Sequence, residues 1–337
     1  MKNRIALWLK WILWYPVMVF LCLEIAFLIL GYRSYHNDDY SIKANPVNAF
    51  IGHPTLGIQL NPGTYDININ DSLHFKATHL ENHTRKVSYR KKDSTDILLL
   101  GCSFTYGFGV DDEATFASLL QKEHPNLGFE NDGVIGYGTV QSLIQLKETV
   151  VQNPPKAVLL IFSKFHLMRN TLSPEYRSNL KTGYHRSAQN VDNLMVQSRF
   201  PYKNDCDSPI QLASWNEMYE DWPGREWLAS INWFQTLRDR FNEDQALQIE
   251  VTICLIKEMQ AICKENGIAF GLVCLDGDTR TEAMKLALSD LPWLEVGFDF
   301  ENKEWTNAPF DTHPSAAGHR YIANKIEPFL SQLLHEN

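Results

Sequence analysis

Residues 96–110 read DILLLGCSFTYGFGV, a run of aliphatics that stops at Gly-Cys-Ser and gives way to aromatic and glycine residues. Ile97 to Leu100 show no apolar–polar alternation, so they fit a short strand buried on both faces, as in a parallel sheet covered by helices. Ser103 then falls at the C-terminal end of that strand. In open α/β sheets ligands bind at that end, and loops there carry catalytic groups.

The chain around this stretch alternates strands with helices. Beyond the strand at 97–102, the periodicity predicts a helix over 114–123, a short strand at 129–131, a glycine-rich turn and a helix over 139–151. Asn-Pro-Pro at 153–155 ends that helix, and AVLLIFS at 157–163 gives another buried strand. A helical stretch, broken or continuous, runs from about 227 to 264 and is capped by Glu265-Asn266-Gly267. IAFGLVCL at 268–275 is a fourth strand, LEVGFDF at 294–300 a weaker fifth, and a helix over 316–334 closes the chain. This order implies an α/β fold with a parallel sheet and helices on both faces. The main domain is expected over 93–337, with a polar, aromatic insertion or lid at about 171–226. Residues 34–92 are expected as a juxtamembrane segment whose short strands fold onto it.

The first 33 residues differ in kind. Lys2, Arg4 and Lys10 precede an apolar run to Leu30 that is interrupted only by Pro16 and Glu24. That run is long enough to cross a bilayer, which takes about 20 apolar residues, and no small-x-small cleavage site follows it. A retained single-pass transmembrane helix over 1–33 is therefore expected. Basic residues ahead of it place the N-terminus inside and the rest on the periplasmic or extracellular side of the inner (cytoplasmic) membrane. Removing Lys2, Arg4, Lys10, Arg33 and Glu24 from the count leaves 27 basic and 39 acidic residues, a formal charge of −12 from Ser34 onward. Such a surface argues against nucleic acid and against a basic surface for anionic lipid.

Six cysteines, at 22, 102, 206, 254, 263 and 274, form no C-x-x-C pair and no zinc-ligand spacing. Cys254, Cys263 and Cys274 read as core residues, with one disulfide, involving Cys206, left open. His74, His79 and His83 are too irregularly spaced for a metal site. Cys102 reads as a packed thiol, His319 as a residue that caps or packs a helix start, and Asp111 and Asp112 as caps or solvent-facing acids.

Two further segments give Ser103 a chemical context. In APFDTHPSAAGH, Asp311 and His313 lie two positions apart, just before a helix. An imidazole that takes a hydroxyl proton needs an acceptor on its other nitrogen, and a carboxylate in the same loop supplies one. In NDGVIGYGTVQ, residues 131–141, a glycine turn follows a strand, and its N–H groups can approach a developing oxyanion.

GCSFTYG, NDGVIGYGTVQ and DTHPSAAGH, in that order, resemble the first, second and last blocks of the SGNH hydrolases, the GDSL-type esterases and lipases. The resemblance covers about 95–170 and 250–334. It implies a flavodoxin-like three-layer α/β/α sandwich with Ser103 as nucleophile, His313 as base and Asp311 as the acid that orients it. It implies oxyanion donors at the Ser103 N–H and at Gly133 or Gly136. The chain departs from the family at Cys102, where an aspartate is usual, and after the 157–163 strand, where Ser163-Lys164-Phe165-His166 replaces an expected asparagine. His166 is the substitute oxyanion donor by position, with Asn170 one helical turn further on. G-x-S-x-G is absent, because Thr105 stands at the second glycine, which argues against an α/β-hydrolase.

The reading is a membrane-anchored serine esterase, O-acyltransferase or deacylase acting on an ester of a cell-envelope glycan or lipid. This chemistry requires no metal or organic cofactor. A degenerate binding or assembly protein on the same fold is the alternative.

Overall fold

The computed structural model describes residues 2–35, 41–187 and 191–335. The chain divides into two compact units, residues 40–218 with 244–337, and residues 1–39 with 219–243.

The larger unit is built on five parallel strands, β1 (Ile97–Gly101), β2 (Phe129–Asn131), β3 (Ala157–Phe162), β4 (Ala269–Cys274) and β5 (Trp293–Glu295), in the order β5-β4-β3-β1-β2. Every residue of β1, β3 and β4 is buried, which is why the sequence carries unbroken apolar runs there. One face packs on helices α1 (Phe116–Glu123) and α5 (Ala316–His335). The other packs on α2 (Thr139–Gln152), α3 (Gln245–Glu265) and α4 (Thr279–Ala287). The result is the three-layer sandwich expected, with flavodoxin-like strand order and its switch point between β1 and β3. Of the expected 294–300 strand only Leu294 and Glu295 fall within β5, which begins at Trp293, while the N–H groups of Val296 and Phe298 still bond the carbonyls of Cys274 and Leu275 at 2.9 and 2.8 Å.

Residues 42–79 are more ordered than their polar composition suggested. Strands Ile42–Asn45, Gly63–Ile69 and Leu73–His79 form an antiparallel sheet, and Phe50–His53 pairs with Gly57–Leu60. Alternate residues such as Tyr65, Ile67, Phe75 and Ala77 point inward and pack with Tyr106, Phe108, Val134 and Tyr137 of the site loops. The insertion folds as helices Pro174–Ser187 and Val191–Met195 and a hairpin, Arg199–Tyr202 with Gln211–Ser214, around buried Trp215. A disulfide joins Cys206 of this insertion to Cys254 of α3. Cys254 is therefore a cross-link rather than the expected free core cysteine, while Cys263 and Cys274 are buried thiols.

The helical stretch expected over 227–264 is two helices that part at 242–244. Ala229–Phe241 belongs to the smaller unit and α3 to the larger.

In the smaller unit, Ala229–Phe241 packs on the N-terminal helix Lys2–Ile29. Glu24 accepts hydrogen bonds from the backbone N–H groups of Ala229 and Ser230, the latter at 3.1 Å. The acid in the apolar run thus satisfies orphan donors at the start of the second helix, where the helix dipole favours negative charge. Trp14, Val17, Met18, Leu21 and Ile25 are exposed, whereas Phe27 is covered by Trp233 at a ring distance of 5.2 Å. Among the residues whose side chains are described, no helix is long and apolar enough to cross a membrane. The expected span begins among residues outside that set.

Candidate active site

Ser103 is separated from β1 by Cys102 alone and starts a single helical turn, Ser103–Tyr106. Gly101 makes the turn possible. Its φ is +152°, and a Cβ there would lie 2.2 Å from Thr105 Oγ1 and 2.6 Å from the Ile161 carbonyl oxygen. The strand end therefore accepts only glycine, and Ser103 is delivered at the switch point of the sheet.

The structure brings Ser103, His313 and Asp311 together. His313 Nε2 lies 2.9 Å from Ser103 Oγ, and Nδ1 lies 2.6 Å from Asp311 Oδ1. The same Asp311 oxygen accepts from the His313 backbone N–H at 2.6 Å. A carboxylate two residues ahead can bond both groups at once, forming an Asx turn that fixes the ring and its tautomer. With Nδ1–H donating to Asp311, Nε2 is the acceptor for the serine proton. Ser103 and Asp311 are buried, and Phe104 and Phe108 flank the imidazole at ring distances of 5.2 and 4.9 Å. These rings lie against the imidazole, and His313 itself stays partly exposed.

Two supports for this relay were invisible in the sequence. Asn307 bonds the His313 carbonyl through its backbone N–H at 3.0 Å and the Pro314 carbonyl through its amide at 3.2 Å. Gly109 abuts it. At φ +93°, a Cβ on Gly109 would lie 2.4 Å from Asn307 Nδ2, so the serine and histidine loops touch through a contact that only glycine permits.

The second support is Arg85, fully buried. Its guanidinium donates to the carbonyls of Tyr106 (2.8 Å), Gly107 and Val110 (2.6 Å) and to Asp112 Oδ1 at 3.1 Å, and lies 4.5 Å from the Tyr106 ring centre. Residue 85 thereby holds the loop that follows Ser103. Neither Asp111 nor Asp112 caps the next helix through its side chain; Asp111 faces solvent, the other role expected, whereas Asp112 is buried. They accept from the backbone N–H groups of Lys76 and Thr78 and so lock the antiparallel sheet to the loop.

His79 completes the clasp. Nδ1 lies 2.9 Å from the Asn61 carbonyl and Nε2 lies 2.8 Å from the Tyr106 hydroxyl. The carbonyl can only accept, so Nδ1 carries the proton and the tyrosine donates to Nε2. Burial lowers the ring from 6.5 to about 4. Between those values the unfolded chain binds the proton and the folded one does not. Stability is therefore full above about pH 6.5 and falls as pH drops toward 4, by on the order of 3 kcal/mol for this residue. Thermal melts across this range should fall less steeply with acid for His79→Gln than for the parent. Parallel curves for the two proteins would show that His79 does not carry the effect.

The oxyanion candidates fare unevenly. The Ser103 N–H sits at the first position of its turn. Gly133 is packed against the turn, but its N–H already donates to Asn131 Oδ1 at 3.0 Å, while Asn131 Nδ2 holds the Thr105 carbonyl at 2.8 Å. That corrects the expectation for Gly133, because the adjacent Asn captures the donor. Gly136, at φ +76°, is the turn's left-handed residue, and its carbonyl accepts from Tyr176 of the insertion at 2.6 Å. Asn170 is corrected as well. Its amide donates to Thr252 at 2.8 Å and its oxygen accepts from Val140 N–H at 3.1 Å, which ties α2 to α3.

His166 is fully buried, with Nδ1 3.3 Å from Thr139 Oγ1 and Nε2 without a partner among the described residues. Burial and nearby Arg169 push the ring well below its ordinary range, so it is neutral. Lys164 and Ser163 turn away to buried Asp276, which accepts the Lys164 N–H at 3.0 Å. His319 packs against Phe116, and Nδ1 accepts its N–H at 3.2 Å, the structural role expected. Among the described residues no three His, Cys, Asp or Glu side chains converge as metal ligands would.

No protein-family model and no curated protein matches the chain. Solved structures similar to it include a member of the lipolytic G-D-S-L family from Veillonella parvula DSM 2008, at 10% identity and TM-score 0.37, covering 71% of this chain and 100% of that one. A psychrotrophic esterase from Pseudoalteromonas sp. is 11% identical, with a TM-score of 0.38 and coverage of 72% and 100%. A GDSL-like lipase from Bacteroides thetaiotaomicron VPI-5482 is 14% identical, with a TM-score of 0.38 and coverage of 70% and 87%. Likenesses this distant carry no weight for activity or substrate. The relay at the switch point of a parallel α/β/α sandwich defines the class on its own: a site of the serine-hydrolase type.

Proposed function

We propose that the protein is a serine esterase or O-acyltransferase that works through an acyl-enzyme on Ser103. The carrying observation is the continuous hydrogen-bonded path from Ser103 Oγ through His313 to Asp311, at 2.9 and 2.6 Å. Ser103 Oγ attacks the ester carbonyl carbon while its proton passes to His313 Nε2. The imidazolium is held by Asp311, and the Ser103 N–H faces the developing oxyanion, with Gly136 and neutral His166 as further donors. Collapse of the tetrahedral adduct breaks the ester C–O bond, and His313 returns the proton to the departing alcohol. Water, or a hydroxyl of an acceptor, then takes the acyl group by the reverse of the same steps.

The site is read as facing the periplasmic or extracellular side, with the N-terminal helix as a single-pass anchor in the cytoplasmic membrane. The basic residues ahead of the apolar run support this orientation. So does the Cys206–Cys254 disulfide, which suits an oxidising compartment. From that location the substrate is an ester of an envelope glycan or lipid.

A second reading, a binding or assembly protein with the same groove, draws on the engaged Gly133 and Asn170 donors. A fluorophosphonate probe separates the two. An active relay is labelled on Ser103 within minutes and Ser103→Ala is not, whereas a chain left unlabelled under conditions that label a control serine esterase is a binding protein.

A further inference from the structure

The glycine turn at 134–138 is gripped by two side chains from outside it. Tyr137 N–H bonds the Val134 carbonyl at 3.3 Å, and Gly136 stands third in that turn at φ +76°. Ile135 ahead of it has no positive φ, so the turn is type II, which needs a left-handed residue at its third position. Flipping the central peptide to type I would turn the Gly136 N–H to the opposite side, so its direction depends on how the glycine is held. The Gly133 N–H is engaged by Asn131, whereas the Gly136 N–H bonds no group among the described residues.

Both carbonyls that follow are taken. Tyr176 Oη donates to the Gly136 carbonyl at 2.6 Å, and Arg169 Nη1 donates to the Tyr137 carbonyl at 2.8 Å. The guanidinium carbon lies 5.7 Å from the Tyr176 ring centre, so the two arms brace each other. Tyr176 is buried, and burial pushes its phenol up to about 12, which keeps the donated proton in place at neutral pH.

The joint between the arms is specified as well. Helix Phe165–Asn170, which carries Arg169, ends in a Schellman turn: Ser173 N–H bonds the Met168 carbonyl at 3.0 Å and Leu172 N–H the Arg169 carbonyl at 3.1 Å. Leu172, at φ +50°, holds the left-handed place that glycine normally takes. The strain is offset by burial of its side chain in one cluster with Tyr176, Leu180 and Trp215. Helix Pro174–Ser187 then leaves the joint with Tyr176 in its first turn. The insertion that bears it is tied back by the Lys203 N–H to the Asn170 carbonyl at 3.0 Å and by the Cys206–Cys254 disulfide.

We propose that Tyr176 is a positioning residue for the ester reaction: by holding the Gly136 carbonyl it fixes the Gly136 N–H as an oxyanion donor, with Arg169 as the second arm. The proposal rests on the serine-esterase reading above. A loose turn would have to be ordered while charge develops on the carbonyl oxygen, whereas a held one is in place beforehand. The insertion thereby takes part in catalysis and is more than a cover.

The test compares full-length parent and Tyr176→Phe, which keeps the ring and loses the hydroxyl alone. With a short-chain aryl ester, kcat should fall by about 10- to 100-fold with KM unchanged. Fluorophosphonate labelling of Ser103 should slow by a similar factor, because that adduct sets an oxygen on the same donors. The pH profile of kcat should keep its shape, since the relay is untouched, and the melt should shift by only about 2–4 °C. An unchanged kcat overturns the proposal, and so does a raised KM at constant kcat, which would make Tyr176 a substrate contact. A rate loss that merely follows the unfolded fraction in the melt overturns it too. Should Tyr176→Phe not fold, Arg169→Met and Arg169→Lys ask the same question of the other arm. Lysine keeps a donor for the Tyr137 carbonyl and should recover most of the kcat that methionine loses, while equal losses in the two overturn the clamp. A parent that fluorophosphonate does not label sinks the esterase reading and the proposal with it. A labelled parent matched in rate by Tyr176→Phe sinks the proposal alone.

Discussion

Ser103→Ala is expected to lower the rate of aryl-ester hydrolysis by about 10⁴- to 10⁶-fold, and His313→Ala by a similar factor, with the double variant no worse than either. The non-additivity is the decisive part. Ser103 and His313 share one proton across the 2.9 Å contact, so removing either leaves the other with nothing to do. Asp311→Asn should cost less than Ser103→Ala but still on the order of 10³- to 10⁴-fold, because an amide in place of the carboxylate favours the wrong imidazole tautomer. Its effect should fall mainly on kcat, since Asp311 is buried behind the ring. Initial rates with a short-chain aryl ester, on protein whose folding is checked by its melt, measure all four. Equal rates for the parent and Ser103→Ala would exclude a generic esterase and favour the binding reading.

The relay was legible because each of its members is announced locally. Ser103 closes an unbroken aliphatic run, and Asp311 and His313 share one turn. The sheet was legible for the same reason, since strands buried on both faces need no partner to be recognised in sequence. Gly133 and Asn170 misled because a backbone N–H or an amide in the right place is still available to nearer acceptors. Asn131 captures the first and Thr252 the second, and neither competition leaves a periodic trace. The Cys206–Cys254 bond spans 48 residues and links an insertion to a helix, a pairing set by tertiary packing alone. Residues 42–79 were legible as short strands folded onto the main domain, but not their pairing. Their inward residues find a surface only when the site loops are in place.

Arg85→Met is expected to lower the melting temperature of the larger unit by on the order of 10 °C, the consequence of about 3–5 kcal/mol for breaking a buried pair. Methionine fills much of the volume but cannot make the guanidinium's bonds to Asp112 and to the carbonyls of Tyr106, Gly107 and Val110. Three of those carbonyls belong to the loop that begins at Ser103. Activity should therefore fall well before the protein melts, although Arg85 touches no member of the relay. Adding Asp112→Leu removes the stranded charge and should recover part of the stability, since an apolar replacement of both partners is often near neutral. It should not restore activity, because the three carbonyls still lack the guanidinium and the loop stays loose. This split between melt and rate identifies Arg85 as a positioning residue. If Asp112→Leu restored both together, Arg85 would be acting only through global stability, and the loop would owe its geometry to Gly101 and Gly109.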